Sequence, residues 1–270
     1  MGAKSAPTSP SVEPNDEGHF TTPTGVCCWC EDYEKEIDVN AVGRYYRRFH
    51  NSAQARGSAP RWFKLTAALR TGRIKVEIRY SFRHYPPTTP AQLASAIGGL
   101  ISGARSWNGK IAIEIDDPEC GKRVLPVEFD AVQVTSGQHY KVLLFEAIPE
   151  QYGVDRAHVQ GDEMRVLVST GEWVYSHEHA HCFGLPDEYG YSDVEVEQVV
   201  YIRPDGSNDP PIDVDTLGVA GRGPAVNIMS THAQERRWMR HGYGIAIEVQ
   251  ALLTQRLGRT IRCKVVRPPE

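Results

Sequence analysis

The stretch that decides the fold is residues 175–189, YSHEHAHCFGLPDEY. It contains the pattern H-E-x-x-H at His177, Glu178 and His181. On a helix, positions i and i+4 lie on one face about one turn apart, so both imidazoles can reach one metal ion. Glu178 follows the first histidine directly, where its carboxylate can act as general base toward a water molecule at the metal. The pattern therefore predicts a helix that carries a metal centre.

The pattern continues beyond this helix. Gly184 lies three residues after His181, where a left-handed turn can end the helix. Asp187 lies three residues further on, where the reversed chain can bring back a third ligand, with Glu188 as its rival. His179 should point away from the metal face of a regular helix. The complete pattern H-E-x-x-H-x-x-G-x-x-D is much more specific than H-E-x-x-H alone.

Size and composition limit the class of protein. The chain has 270 residues, of which 40% are hydrophobic and 24% charged, as in a soluble protein of one large or two small domains. The formal charge of -4 gives no reason to expect a nucleic acid or an anionic membrane as partner. No stretch approaches ~18 uncharged apolar residues, so no membrane span is expected. The N-terminus lacks the apolar region of a secretory signal. We therefore expect a cytoplasmic protein, a protein exported without a signal peptide, or a chain whose leader has been removed.

The chain divides into three parts by composition. Residues 1–24 are rich in Pro, Ser, Thr and Gly, which predicts a disordered tail. Residues 25–61 form a cysteine-containing segment, in which residues 38–50 are expected to form a short helix. Residues 62–270 carry the regular patterns and the H-E-x-x-H motif, and they are predicted to form the metal-dependent domain.

The cysteines leave the redox compartment open. They are Cys27, Cys28, Cys30, Cys120, Cys182 and Cys263. The first three lie in CCWC, and together with His19 they could form a second metal site. The alternatives are a buried thiol cluster or a disulfide to Cys120 or Cys263. Cys182 faces away from the metal and is expected to be a core thiol, whereas a thiolate from CCWC or Cys120 could inhibit a metal site by binding to it.

Hydrophobic periodicity predicts an α+β fold. Strands are predicted at residues 73–82, 110–115, 124–134, 140–148, 164–169 and 260–266. Helices are predicted from Pro90, after Thr88 and Thr89, and at residues 244–257 before Gly258. Residues 194–201 fit a strand or a short helix, and residues 205–223 read as a long loop. Strand, helix, several strands and a second helix indicate a mixed, twisted sheet with helices packed against it.

Two motifs together resemble a known family. Residues 177–187, HEHAHCFGLPD, resemble the extended zinc motif of metzincin metallopeptidases, and residues 227–230, NIMS, resemble their Met-turn. The resemblance implies a zincin fold with an active-site helix, a Met-turn that places Met229 beneath the metal, and a C-terminal helix. It implies zinc as the cofactor, held by His177, His181 and Asp187.

The motif departs from the family at two points. Most metzincins have histidine as third ligand, whereas this chain has Asp187, as in the snapalysin-like branch. The Met-turn also lacks the downstream tyrosine of astacin-like members. The group that stabilises the oxyanion therefore stays open, and the candidates are Tyr189, His232 and Tyr243.

The resemblance covers the chain unevenly. It is specific over residues 164–187 and 226–230, and it is loose over residues 73–163. The ending LPDEYG, residues 185–190, is also similar to zinc peptidases among bacterial secreted effectors and toxins. That similarity implies a delivery context, with a cognate inhibitor or immunity protein, and it does not identify a substrate.

These observations lead to three hypotheses about function. The first is a zinc-dependent endopeptidase acting on a protein or peptide. The second is a zinc-stabilised binding module, or an inactive peptidase relative that captures a protein partner, which requires a fourth protein ligand that closes the metal site. The third is hydrolysis of a non-peptide amide, because the chemistry at zinc would be the same.

Overall fold

The structure is a computed structural model that describes residues 20–21, 25, 27–39, 42–49, 53–58, 61–190, 196–216, 227–230 and 236–268. The strands before the first helix are β1 (Phe20–Thr21), β2 (Cys27–Cys28), β3 (Tyr33–Val39), β4 (Val42–Phe49), β5 (Gln54–Ser58), β6 (Arg61–Ala68) and β7 (Arg73–His84). Helix α1 (Pro90–Arg105) is followed by β8 (Ala112–Asp117), β9 (Gly121–Gln133), β10 (Tyr140–Phe145), β11 (His158–Gln160) and β12 (Glu163–Leu167). The remaining elements are α2 (Glu172–Cys182), β13 (Tyr189–Gly190), β14 (Val196–Tyr201), β15 (Ile212–Asp213), β16 (Asp215–Thr216), α3 (Tyr243–Leu257) and β17 (Arg262–Val266). Short 3-10 helices lie at Glu150–Tyr152 and Met239–Gly242.

The main sheet is mixed. Among the described residues it has nine strands, in the order β11-β12-β10-β7-β9-β8-β17, with β6 pairing with both β7 and β3. Strand β7 is parallel to β9 and β10, and β10 is parallel to β12, whereas β11, β8, β17, β6 and β3 join antiparallel. The predicted α+β class with a mixed sheet and a C-terminal helix is therefore confirmed.

Helix α1 begins where the sequence predicts. Thr89 is its N-cap and forms a reciprocal capping box with Gln92, and Pro90 occupies the first turn. The helix lies against α2 at very short range, because Gly103 has no side chain. An ideal Cβ at Gly103 would lie only 2.7 Å from the amide nitrogen of Ser176. This close contact fixes the position of α2.

Two buried aromatic side chains attach α2 to the rest of the core. The indole Nε1 of Trp107, which follows α1, donates to the carbonyl of Ser176 at 3.0 Å. The hydroxyl of Tyr140, on β10, donates to the carbonyl of Cys182 at 2.9 Å. Both aromatic residues are fully buried. The helix that carries the H-E-x-x-H motif is thus held near its middle and at its end.

The helix expected at residues 38–50 is wrong. Of these residues, 38–39 end β3 and 42–49 form β4, in which Tyr45 is buried. Strand β4 pairs with β5 and with β14, about 150 residues later, and β3 pairs with β6. Of the segment 194–201, the described residues 196–201 form strand β14, so the strand alternative is confirmed there. The periodicity of one short segment could not show which distant strand it would meet.

The cysteines form disulfides at the N-terminal segment. Cys27 is bonded to Cys30, and Cys28 is bonded to Cys120 in the turn between β8 and β9. Of the alternatives, the disulfide to Cys120 is therefore correct. The second metal site, the thiol cluster and the inhibitory thiolate are wrong, because these sulfurs are already paired; His19 lies outside the described residues. Cys182 and Cys263 are free and buried.

The C-terminal elements match the prediction. Helix α3 ends at Gly258, which adopts a left-handed conformation with φ of 66° and lets the chain turn into β17. The loop expected at residues 205–223 is described only to residue 216, and it contains the two-residue strands β15 and β16. Of the predicted tail, residues 1–19 and 22–24 lie outside the described part. In the part of the chain that is described, no helix has both the length and the apolar character needed to cross a membrane.

Candidate metal centre

The chain reverses directly after α2. Gly184 adopts φ of +99°, a region that L side chains rarely enter, and an ideal Cβ there would collide with the side chain of Arg61. The amide of Gly184 donates to the carbonyl of His181 at 2.9 Å, and the amide of Leu185 donates to Ala180 at 3.2 Å. This turn brings Asp187 back to the Nε2 atoms of the two motif histidines.

Three side chains converge on one point. The Nε2 atoms of His177 and His181 lie 3.1 Å apart, and they lie 3.1 and 3.2 Å from Oδ1 of Asp187. In a tetrahedral zinc site with bonds of ~2.0–2.1 Å, ligand atoms are separated by about 3.3–3.4 Å. The three groups could therefore hold a metal ion with very little movement. Two imidazoles and one carboxylate are a donor set that suits zinc and other first-row divalent ions.

Backbone carbonyl groups fix the tautomer of both histidines. Nδ1 of His177 lies 2.7 Å from the carbonyl oxygen of Ile228, and Nδ1 of His181 lies 2.7 Å from that of Leu185. A carbonyl oxygen can only accept, so each Nδ1 carries a proton and donates it. The neutral ring then has its lone pair on Nε2, directed at the common centre. This is how outer partners usually orient metal-binding histidines.

The electrostatics of the site suit a cation. Burial lowers the pKa of His181, but the charge and hydrogen bond of Asp187 outweigh it and raise that pKa to about 9. Burial would raise the pKa of Asp187, but its two histidine neighbours hold it well below the ordinary value. The carboxylate is therefore ionised, and it attracts positive charge to the point where the three ligand atoms meet.

Glu178 lies beside this centre with an unused oxygen. The residue is 2% exposed, and no described residue forms a hydrogen bond with its Oε2. Its charge acts on His181 and contributes to the raised pKa of that residue. A buried carboxylate oxygen without a partner costs free energy, so natural proteins rarely keep one without a function. Water or a substrate group in the adjoining cleft can satisfy it.

The centre lies on the floor of an open cleft with two cavities. The larger has a volume of about 460 Å³ and is lined by Glu178, His181 and Asp187 together with residues of β11 and β4. The smaller has about 200 Å³ and is lined by His177, Glu178 and the first turn of α2. Glu178, Arg156 and Tyr189 border both cavities, so they mark the passage between them.

A tight turn at residues 227–230 lies beneath the ligands. Its Ile228 carbonyl accepts from His177, and its Met229 carbonyl accepts the amide of Glu188 at 2.7 Å. The side chain of Met229 is fully buried. The turn thus contacts the first ligand through one carbonyl and the segment that carries the third ligand through the next.

Glu188 holds this turn in place and does not join the ligands. Its buried carboxylate accepts five hydrogen bonds of 2.7–3.3 Å, from Tyr201, Asn227, Arg240 (two) and His241. Burial would raise the pKa of Glu188, but the hydrogen bonds from His241 and Arg240 lower it. Burial lowers the pKa of His241, whose neutral ring accepts from the Trp238 amide and donates to Glu188. The sequence alone did not predict this hydrogen-bond network, because its donors come from distant parts of the chain.

The candidates for the oxyanion group lie in different places. Tyr189 borders both cavities, its ring packs 6.1 Å from that of His177, and its hydroxyl accepts from Arg156 at 2.9 Å. Tyr243 lines neither cavity, and its hydroxyl lies 3.5 Å from Asp209. His232 lies outside the described residues. Of the two described candidates, Tyr189 is the one that lies at the metal centre.

His179 points into the core, as the helical geometry predicts. Its Nδ1 lies 2.8 Å from the hydroxyl of Tyr80, and burial lowers its pKa to about 3. Cys182 is fully buried, and its thiol donates to the carbonyl of Glu178. Neither side chain lines the two cavities of the cleft, so both belong to the packed core on the opposite face of α2.

No protein-family model matches this chain, and no curated protein matches it either.

Proposed function

We propose that this protein is a zinc-dependent endopeptidase of metzincin-like fold, which hydrolyses peptide bonds with Glu178 as general base. One observation carries the proposal: three ligand atoms converge beside a buried carboxylate oxygen that no described residue pairs with, on the floor of an open cleft. The chain reversal at Gly184 and the turn beneath the ligands also suit this fold. The LPDEYG ending favours a secreted effector that a cognate inhibitor would control.

The residues divide the chemistry between them. A zinc ion held by His177, His181 and Asp187 would supply a Lewis acid for the scissile carbonyl and for the attacking water. Glu178 accepts a proton from that water through its unpaired oxygen and passes it to the leaving nitrogen. Tyr189, at the passage between the two cavities, is the candidate that donates to the developing oxyanion.

The edge of the main sheet offers a place for an extended substrate. Among the described strands, β11 pairs with β12 alone, and its residues line the larger cavity. A peptide can therefore add to the free edge of β11 by main-chain hydrogen bonds. Because cavities lie on both sides of Glu178, a chain could extend in both directions from the cleaved bond. This arrangement favours cleavage within a chain over removal of a terminal residue.

The alternative functions receive less support. A zinc-stabilised binding module needs a closed site, yet within the described residues only three groups are close enough to share one ion. A structural site also gives no role to Glu178. Hydrolysis of a non-peptide amide would use the same groups, so only the choice of substrate separates it from peptide hydrolysis.

The decisive experiment replaces Glu178 with Gln. We expect the zinc content of the purified protein to stay at the wild-type value, because the ligands are unchanged. Hydrolysis of denatured proteins, followed by mass spectrometry of the new termini, should fall by about a hundredfold or more, since a general base contributes about 10²–10⁴-fold.

The matched control is Glu172→Gln, on the exposed first turn of the same helix, where the carboxylate accepts a hydrogen bond from Ser102. This variant should keep both zinc and activity. A Glu178→Gln protein that cleaves at the wild-type rate would refute the assignment of the base. Zinc-loaded wild-type protein that cleaves no peptide bond would reject the endopeptidase.

A further inference from the structure

The larger cavity of the cleft carries an unexpected charge. We propose that it binds a carboxylate of the substrate peptide close to the cleaved bond, with Arg47 and Arg156 as the cations that recognise it. This inference rests on the proposed peptidase function and adds a substrate class to it.

Arg47 reaches the cavity from strand β4. Side chains two apart on a strand point to the same face, so Arg47 lies on the face of buried Tyr45, and both residues line the cavity. The Arg47 guanidinium lies 5.9 Å from the centre of the Tyr45 ring. Burial raises the pKa of Tyr45, and the charge of Asp187 adds to that rise. Arg47 therefore lines the same cavity as the metal-binding side chains His181 and Asp187.

Arg156 reaches the same cavity from the loop before β11. Its guanidinium donates to the Tyr189 hydroxyl at 2.9 Å and lies 5.6 Å from the centre of that ring. The ring contact and the hydrogen bond place this cation at the passage between the two cavities. The two arginines thus come from separate elements and face one volume.

The charges in this cavity do not cancel. Among the described residues that line it, the titratable groups are two guanidinium groups, two carboxylates and two histidines, namely Arg47, Arg156, Glu178, Asp187, His158 and His181. Glu178 and Asp187 would offset the charge of a divalent ion, so the formal charge of the described lining residues is then positive, from Arg47 and Arg156. The whole chain has a formal charge of -4, so this positive cavity is a local feature.

The neighbours of Arg47 on β4 are engaged elsewhere. Arg44 forms an ion pair with Glu248 at 3.1 Å, and Arg48 donates to Gln54 and Gln198. Among the described residues, Arg47 forms no ion pair with a carboxylate. A guanidinium matches a carboxylate with two parallel hydrogen bonds, and the attraction is stronger in a cleft than in bulk water.

The test uses zinc-loaded full-length protein and peptides with acetylated and amidated ends, taken from a sequence cleaved in a denatured protein. Pairs of peptides differ only by Glu or Gln at one position near the cleaved bond. We expect kcat/KM for the Glu peptide to exceed that for its Gln partner by about tenfold or more at one position. A second pair, with a free or an amidated C-terminus, shows whether a side chain or a chain end supplies the carboxylate.

Variants of Arg47 connect the preference to the structure. Arg47→Gln should reduce the Glu-to-Gln ratio of kcat/KM by about tenfold, and Arg47→Lys should keep part of it because the charge stays. Arg48→Gln, on the opposite face of β4, should leave the ratio unchanged. Ratios near one in both peptide pairs, with cleavage intact, would overturn the inference and leave the peptidase standing. Cleavage of no peptide would reject the proposed peptidase and this inference with it.

Discussion

Replacing Glu188 with Gln removes the charge at the centre of a buried network. The carboxylate accepts five hydrogen bonds, two of them from Arg240, whose side chain is 14% exposed. A Gln amide keeps one accepting oxygen and places a donor against the remaining donors, which leaves the Arg240 cation buried without its counter-charge. Removing one partner of a buried ion pair costs about 3–5 kcal/mol, so we expect a loss of that size in the free energy of unfolding.

The same substitution should weaken zinc binding. Glu188 follows Asp187 directly and holds Asn227, in the turn whose Ile228 carbonyl orients His177. Loss of such an outer partner typically lowers metal affinity by about 10–100-fold. Urea unfolding of the metal-free protein measures the stability, and competition with a chelator measures the zinc affinity.

A matched control separates this network from an ordinary ion pair. Glu34 pairs with Lys64 at 2.8 Å on the exposed surface, where such pairs contribute about 0–1 kcal/mol. Glu34→Gln should therefore change the free energy of unfolding by no more than about 1 kcal/mol. It should leave the zinc affinity unchanged. If Glu188→Gln unfolds like Glu34→Gln and binds zinc as the wild type does, the network does not support the metal centre.

Two further predictions concern stability. Gly103→Ala should lower the free energy of unfolding, measured in urea, by about 1–3 kcal/mol, because the added Cβ would meet the Ser176 backbone. The control is Gly98→Ala in the same helix, where the added Cβ meets nothing within 4 Å. This variant should raise the free energy of unfolding by about 0.5–1 kcal/mol. Asp117→Asn should cost about 1.5–3 kcal/mol at pH 7, because burial raises the pKa of Asp117 but its hydrogen bonds with Arg259 outweigh it and lower that pKa. This contribution to stability is complete above the unfolded pKa of ~3.9 and is lost as pH falls through the lower folded pKa. The free energies of unfolding of the wild type and of Asp117→Asn should therefore converge in acid. A difference that stays constant with pH would contradict the ion pair.

Local signals predicted much of the fold. The start of α1 follows from Thr89 and Pro90, and the end of α3 follows from Gly258, because caps and stops depend on neighbouring residues. The alternation of apolar and polar residues in β7 likewise predicted a strand with one buried face. The helix predicted at residues 38–50 was wrong. Strand β4 pairs with β5 and β14, and the sequence of the segment alone does not indicate these partners.

Part of the candidate site could likewise be predicted from local sequence, and part could not. Spacing alone predicted that His177, His181 and Asp187 could meet, since one helical turn and one glycine reversal fix their relative positions. Nothing in the local pattern indicated the carboxylate network of Glu188, because its donors approach from remote segments. The positive cavity likewise depends on a strand and a loop more than a hundred residues apart in sequence. Ligand spacing is a property of a few consecutive bonds, whereas the surroundings of those ligands arise only when distant segments pack together.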